Sequence, residues 1–173
     1  VDPSTETIGP APDSTHAVTV VVPTSNHGAL IEQCLEGIAK QRFSQPYRCV
    51  VYDDASTDET AEVAKAFAAR HPGLFHLVLQ REKRPRDSTL APWLVALLQS
   101  PSKYVAMCAG DDCWLDERKL ESQWQYMERN PWCAISHHDV EIEVLDDPHD
   151  LAAELRRLLS TSRPTDDRVP GAE

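Results

Sequence analysis

The sequence predicts an α/β protein, a mostly parallel sheet packed in an α/β/α sandwich, and three observations carry that reading. Short apolar runs recur at residues 18–22, 48–52, 75–79 and 104–108, each of a length suited to a buried strand. The stretches between them hold apolar residues at helical spacing, so strands alternate with helices as in βαβ units. Two runs end in adjacent acids, Asp53-Asp54 and Asp111-Asp112, and in an open α/β sheet side chains just past the strand ends converge on one crevice.

The elements follow in order. Residues 1–16 hold Pro3, Pro10 and Pro12 among Ser, Thr and Asp, a composition that predicts a disordered leader. The β-branched run 18–22 is the first strand, and it delivers Thr24-Ser25-Asn26 to its carboxyl end. Leu30, Ile31, Cys34, Leu35 and Ile38 mark one face of a helix over about 29–42. After the second strand, Ser56-Thr57-Asp58-Glu59 combines capping residues with an acidic first turn ahead of a helix that stops near His71-Pro72-Gly73. The third strand, 75–79, leads through a charged loop to a helix capped by Ser88-Thr89 and running through Trp93, Leu94, Leu97 and Leu98. The fourth strand ends at Ala109-Gly110-Asp111-Asp112, followed by a helix over about 117–129. Residues 134–136 and 140–144 suggest further strands, and a short helix at about 151–159 precedes a polar, disordered tail. The organisation expected is therefore a leader (1–16), one ligand-binding domain (17–145) and a tail (146–173).

A formal net charge of −11 argues against a nucleic-acid or anionic-membrane surface, because those partners need clustered Lys and Arg. The five cysteines show no Cys-x-x-Cys, and four sit in apolar runs where a thiol packs as a small hydrophobe, which suggests a reducing, cytoplasmic setting. No run of about 18 apolar residues is present to span a bilayer. The start lacks both Met and a signal-peptide pattern, as a processed or partial product would.

Asp54 is placed to accept a hydrogen bond from a base or ribose, with Asp53 supporting it, although Asp and Ser also favour turns for their own sake. In the Gly110-Asp111-Asp112 turn, two carboxylates can hold a hard divalent cation that bridges phosphate oxygens, and Mg2+ or Mn2+ suits such ligands. His137-His138-Asp139 also pairs imidazole with carboxylate, but adjacent strand residues point to opposite faces. Trp114, Trp124 and Trp132 read as core or loop anchors.

The segments 18–27, Gln41-Arg42-Phe43, 50–60 and 110–114 together resemble, in order and spacing, the nucleotide-binding part of a family 2 glycosyltransferase of Rossmann-like GT-A fold. The resemblance covers about residues 17–140 and implies inverting, metal-assisted transfer of a sugar from a nucleotide diphosphate sugar, by default UDP-linked. The acceptor it leaves open is a saccharide, a lipid-linked group or a protein. It places Thr24, Asn26, Asp53, Asp54, Ser56, Arg86 and Asp111 on the nucleotide sugar, with Asp111 and Asp112 on the metal. Asp111 matches the last residue of the family's Asp-x-Asp motif, and Ala109 stands where many relatives carry the first acid. The segment 81–87 replaces the usual Gly- and Asn-rich stretch, and Arg86 is chosen there because a guanidinium matches phosphate geometry. The chain after Val144 matches no acceptor half, so the general base is unassigned, and the alternative is a nucleotide-binding fragment without transfer. A receiver-type signalling domain would need an acidic pair after the first strand, where Pro23-Thr24 stands. A two-metal phosphohydrolase would need more His and Asp at strand ends.

Overall fold

A computed structural model describes residues 4–83, 94, 98 and 100–141. The chain divides into two units, residues 1–134 and 135–173. In the first, a five-stranded sheet is built from β1 (Thr5–Ile8), β2 (Val18–Thr24), β3 (Tyr47–Asp53), β4 (Phe75–Gln80) and β5 (Tyr104–Met107), in the order β1-β4-β3-β2-β5. β5, β2, β3 and β4 run parallel, and β1 is antiparallel to β4. The helices are α1 (Ile31–Ala39), α2 (Thr60–Arg70) and α3 (Lys119–Arg129). The sheet is thus mostly parallel, as the sequence pattern predicts.

The core follows the two-residue period of the strands. Val18, Val20 and Val22 of β2, Cys49 and Val51 of β3, and Phe75, Leu77 and Leu79 of β4 share a cluster with Ile31, Cys34, Leu35 and Ile38 of α1 and Ala64 and Phe67 of α2. Thr19, Val21, Val50 and Tyr52, at the intervening positions, are buried too, which is why β2 and β3 read as continuous apolar runs. Each large aliphatic side chain so enclosed contributes about 1.5–3 kcal/mol. Trp114 and Leu120 join this cluster, Trp124 packs against it and meets Phe43 edge to face, but Trp132 is 73% exposed and anchors no core.

The leader departs from its expected disorder. Residues 5–8 form β1 along the free edge of β4, with Thr5 opposite Gln80 and Ile8 opposite Leu77. Side chains reinforce the pairing: Gln80 Nε2 donates to Thr5 Oγ1 at 2.9 Å, and Lys65 meets Glu6 at 3.2 Å. Composition weighs apolar burial, whereas this strand is held by ladder hydrogen bonds that a bare sheet edge offers. Gly9, at φ +82°, ends it where any Cβ would lie 2.3 Å from the Phe75 carbonyl oxygen.

The expected strands at 134–136 and 140–144 are also corrected as far as they are described, since residues 134–141 carry no strand. Ile135 and Val140 are 82% and 70% exposed, so β-branched residues there lack the half-buried, paired surface that strand propensity reflects. The expected helix at 88–99 lies outside the described residues except for Leu94 and Leu98, both helical, and the short helix at 151–159 with its tail lies wholly outside them. Among the described residues no helix is long and apolar enough to cross a membrane.

Two polar joints fix the frame around the strand ends. Gln41, just past α1, donates from Nε2 to the Asp116 carbonyl at 2.8 Å and to the Gly37 carbonyl at 3.2 Å, while its Oε1 accepts from Leu120 N at 3.0 Å. This single buried amide ties α1 to the start of α3, and at Gly37 the helix approaches so closely that a Cβ would lie 2.8 Å from the Trp114 carbonyl oxygen. The second joint links the starts of α1 and α2. Asp58 accepts from Gly28 N at 2.9 Å and from Thr60 N at 3.0 Å, and Thr60 Oγ1, which also bonds Asp58, accepts from His27 N at 2.9 Å. Hydrogen bonds from the Thr60 hydroxyl and then the Gly28 N–H hold the Asp58 carboxyl below its ordinary value of 3.8.

Replacing Gln41 by Ala leaves the Leu120 N–H without its side-chain partner and the Asp116 carbonyl with only the Lys119 N–H at 3.2 Å. Urea denaturation is expected to show a loss of about 1–3 kcal/mol at unchanged m-value; an unaltered midpoint would mean that water substitutes fully for the amide. The Asp58 carboxylate, with its folded pKa depressed, contributes stability above pH 3.8 that is lost as pH falls through the lower folded value. Asp58→Asn is therefore expected to flatten the fall in stability below about pH 4, measured by denaturation at a series of acid pH values.

Candidate functional site

β2 is flanked by β3 and β5, so its carboxyl end lies between the two acidic turns. Thr24 stands opposite Asp53 in the register, and Val21 opposite Met107. Beyond these pairs both turns hang on β2: Asp54 N donates to the Thr24 carbonyl at 3.0 Å, and Gly110 N donates to the Pro23 carbonyl at 2.9 Å. Thr24, Asp53-Asp54 and Asp111-Asp112 are thereby brought to one end of the sheet, although some 60 residues separate the two acid pairs in the chain.

The aspartates differ in environment. Asp53 is 2% exposed, and its carboxylate accepts from Ser56 N at 3.1 Å and from the Ser56 hydroxyl. It shapes the turn that carries Asp54, which is only partly covered. Asp111 is half-exposed and Asp112 is exposed, and Asp112 N closes their turn on the Ala109 carbonyl at 3.0 Å. Below this turn Cys34 Sγ lies 3.3 Å from the same carbonyl and 3.7 Å from Cys108 Sγ. The hydrogen bond with Cys108, and then burial, push the Cys34 thiol far up, so it is a packing group and not a nucleophile.

Asn26 and Ser56 also reach this end of the sheet, and there they bind each other's loops. Asn26 N donates to Ser56 Oγ at 2.8 Å, and Asn26 Oδ1 accepts from Thr57 N at 2.8 Å. Asn26 sits at φ +57° and Ala55 at φ +50°. Asn tolerates that region through its local hydrogen bonds, whereas an Ala there costs roughly 1–2 kcal/mol, a strain that the surrounding bonds must hold. Arg86 lies outside the described residues.

His27 is a member of the site to which the sequence reading gave no role. Its Nδ1 is 3.2 Å from Thr24 Oγ1 and its Nε2 is 3.9 Å from Asp111 Oδ2, so the ring bridges the end of β2 and the second acidic turn. Gly110 makes room for it, since a Cβ there would meet Thr24 Oγ1 at 2.4 Å and His27 Nδ1 at 2.9 Å. The available signal was an ionisable residue three positions after Thr24, past a strand end; its direction depends on contacts with Gly110 and Asp111 that one sequence does not display.

Among the described residues no three His, Cys, Asp or Glu side chains cluster closely enough to enclose a metal. The donors present, two carboxylates on an open turn, are of the kind that holds Mg2+ or Mn2+ through one or two protein oxygens while phosphate oxygens and water complete the shell. His137 and His138 lie in the second unit and are exposed there.

Residues 19–151 match the family model described as Glycosyl transferase family 2. An uncharacterized protein of Mycobacterium tuberculosis is 33% identical over 125 residues, 72% of this chain and 35% of that protein. A PGL/p-HBAD biosynthesis glycosyltransferase of the same organism is 32% identical over 97 residues, 50% of this chain and 36% of its own length. Among solved structures, the mannosyltransferase PcManGT of Pyrobaculum calidifontis, in complex with GDP-Man and Mn2+, shares 33% identity with a TM-score of 0.54 over 68% of this chain and 34% of that one. S. aureus TarS 1–349 in complex with UDP-GlcNAc shares 25% identity with a TM-score of 0.55 over 66% of this chain and 32% of that one. The chain spans about a third of the length of the relatives it matches. The mostly parallel sheet with its helices is the Rossmann-like arrangement of these GT-A neighbours, and the chain belongs to glycosyltransferase family 2.

Proposed function

We propose that the chain binds the nucleotide diphosphate sugar of an inverting, metal-assisted glycosyl transfer. The observation that carries this reading is the convergence of Thr24, Asp53-Asp54 and Asp111 on the carboxyl ends of three neighbouring strands, with both acidic turns hydrogen-bonded to β2. Thr24 and Asp54 take the nucleoside, the Asp54 carboxylate accepting from a base N–H or a ribose hydroxyl. Asp53, Ser56 and Asn26 act through the loops they hold, and Arg86 contacts the diphosphate. Asp111, with Asp112 beside it, holds Mg2+ or Mn2+, which when bound supplies Lewis-acid stabilisation of the leaving diphosphate. In a protein of net charge −11 a diphosphate is received by a bound cation or a local basic group, and Arg86 and the metal fill those parts here. Uridine is the donor base that the resemblance favours, and the GDP-Man and UDP-GlcNAc held by the two neighbours make both nucleotides worth titrating.

Donor binding without transfer is a second reading, as the residues placed at the site bind and hold and none of them is assigned as general base. The two readings part on turnover: release of free sugar from UDP-GlcNAc or GDP-mannose supports a catalytic site, whereas nucleotide binding with no release supports the binding module.

Calorimetric titration of UDP and of GDP, with Mn2+ and with EDTA, tests donor binding directly. Metal-dependent binding is expected, abolished in Asp111→Ala and weakened about ten- to a hundredfold in Asp54→Ala, the size of a lost charge-assisted hydrogen bond. Equal heats with EDTA and Mn2+, or full affinity in Asp111→Ala, would remove the metal from the reading.

A further inference from the structure

We propose that His27 is itself a ligand of the divalent cation at the Asp111 turn, supplying an imidazole nitrogen where Ala109 offers no side-chain donor. The inference rests on the donor-site reading above and adds a residue to it. The separation of His27 Nε2 from Asp111 Oδ2, 3.9 Å, is too long for a hydrogen bond. Donors roughly 2.0–2.2 Å from such a metal lie about 2.8–3.1 Å apart at adjacent octahedral positions and about 4.0–4.4 Å apart across the ion, so a side-chain shift of under about 1 Å brings Nε2 and Oδ2 onto one ion.

The other ring nitrogen supports the assignment. Nδ1 lies 3.2 Å from Thr24 Oγ1, so this hydroxyl can hold the ring as acceptor of Nδ1–H. Metal binding at Nε2 selects that tautomer, with the Nε2 lone pair on the side of the Asp111 carboxylate 3.9 Å away. Metal-bound histidines are held in this way, with the second ring nitrogen bonded to a fixed partner. The ring's base is fixed as well. His27 N donates to Thr60 Oγ1 at 2.9 Å, and its carbonyl accepts from Leu30 N at 2.9 Å and Ile31 N at 2.8 Å. The ring is 26% exposed, which leaves an edge open to the turn.

Ala109 cannot take this part. Its side chain is a methyl group, and its carbonyl already accepts from Asp112 N at 3.0 Å and lies 3.3 Å from Cys34 Sγ. A nitrogen among the donors also changes selectivity, since imidazole favours transition ions over Mg2+ more than carboxylate does. The site is therefore tuned toward Mn2+ and its neighbours in the transition series.

The test is pulsed electron paramagnetic resonance of Mn2+ on the whole chain, with UDP or GDP present, using protein carrying 15N-histidine. A histidine-nitrogen coupling is expected in the wild type and absent in His27→Asn, whose amide can still meet Thr24 from the Nδ1 position but has no Nε2. Mn2+ affinity should fall about tenfold or more in that variant, at least what loss of a second-shell partner costs, and Mg2+ affinity should fall less. His27→Gln gives the same readout if the Asn variant does not fold. Mn2+ bound in an Asp111-dependent manner without histidine coupling, or bound equally by the variants, overturns the His27 assignment and leaves the donor site standing. Absence of both Mn2+ and nucleotide binding overturns the two together.

Discussion

Everything at the candidate site depends on how β2 ends. Successive carbonyls of a strand face opposite neighbours, and three of the last four of β2 hold the flanking segments in that way. Val21 accepts from Cys108 N at 3.2 Å and Pro23 from Gly110 N at 2.9 Å on the β5 side, while Thr24 accepts from Asp54 N at 3.0 Å on the β3 side. Pro23 has no N–H to give, so the ladder to β5 ends with Val21 opposite Met107 and the chain is released into the Gly110-Asp111-Asp112 turn. A proline inside a strand with partners on both sides is ordinarily unfavourable. Here it lies two residues past the final β5 pair, where no ladder bond to β5 requires its N–H and its carbonyl accepts from Gly110 N.

The parallel strands were legible because burial on both faces makes β2 and β3 continuous apolar runs, and the helices between them because α1 carries its apolar residues on one face. Thr24, Asp53-Asp54 and Asp111-Asp112 were legible for a related reason, since polar residues that directly follow such runs can only lie at strand ends. β1 was not, because it is specified by the free edge of β4 and by partners such as Gln80 and Lys65 that lie far away in sequence. His27 escaped notice on similar grounds, as its place is defined by Gly110 and Asp111 across the sheet end. Asn26 and Ser56 lie at the same end of the sheet, and the reading did not anticipate how far their atoms are committed to each other's loops.

The two halves of the site are built differently. Around Thr24 and Asp54, hydrogen bonds from the Asn26, His27 and Gly28 N–H groups to Ser56, Thr60 and Asp58 fasten the loop before α1 to the loop before α2. Around Asp111, the turn rests on Gly110, Cys34 and Cys108 from below, with its carboxylates toward solvent. One half is cross-braced by polar side chains and the other is cushioned by small and apolar ones, a difference that suits a recognition surface beside a charge-bearing one.

The cross-braced loops have a thermodynamic consequence. Ordering a loop around a ligand normally subtracts from affinity, because its conformational entropy is lost at the moment of binding. Here two loops are held by backbone donors and short side chains in the protein as it folds, with Asn26 and Ala55 already in their left-handed conformations. That entropy is lost on folding, so on the proposed reading a nucleotide at Thr24 and Asp54 meets loops whose conformation is already set by these bonds.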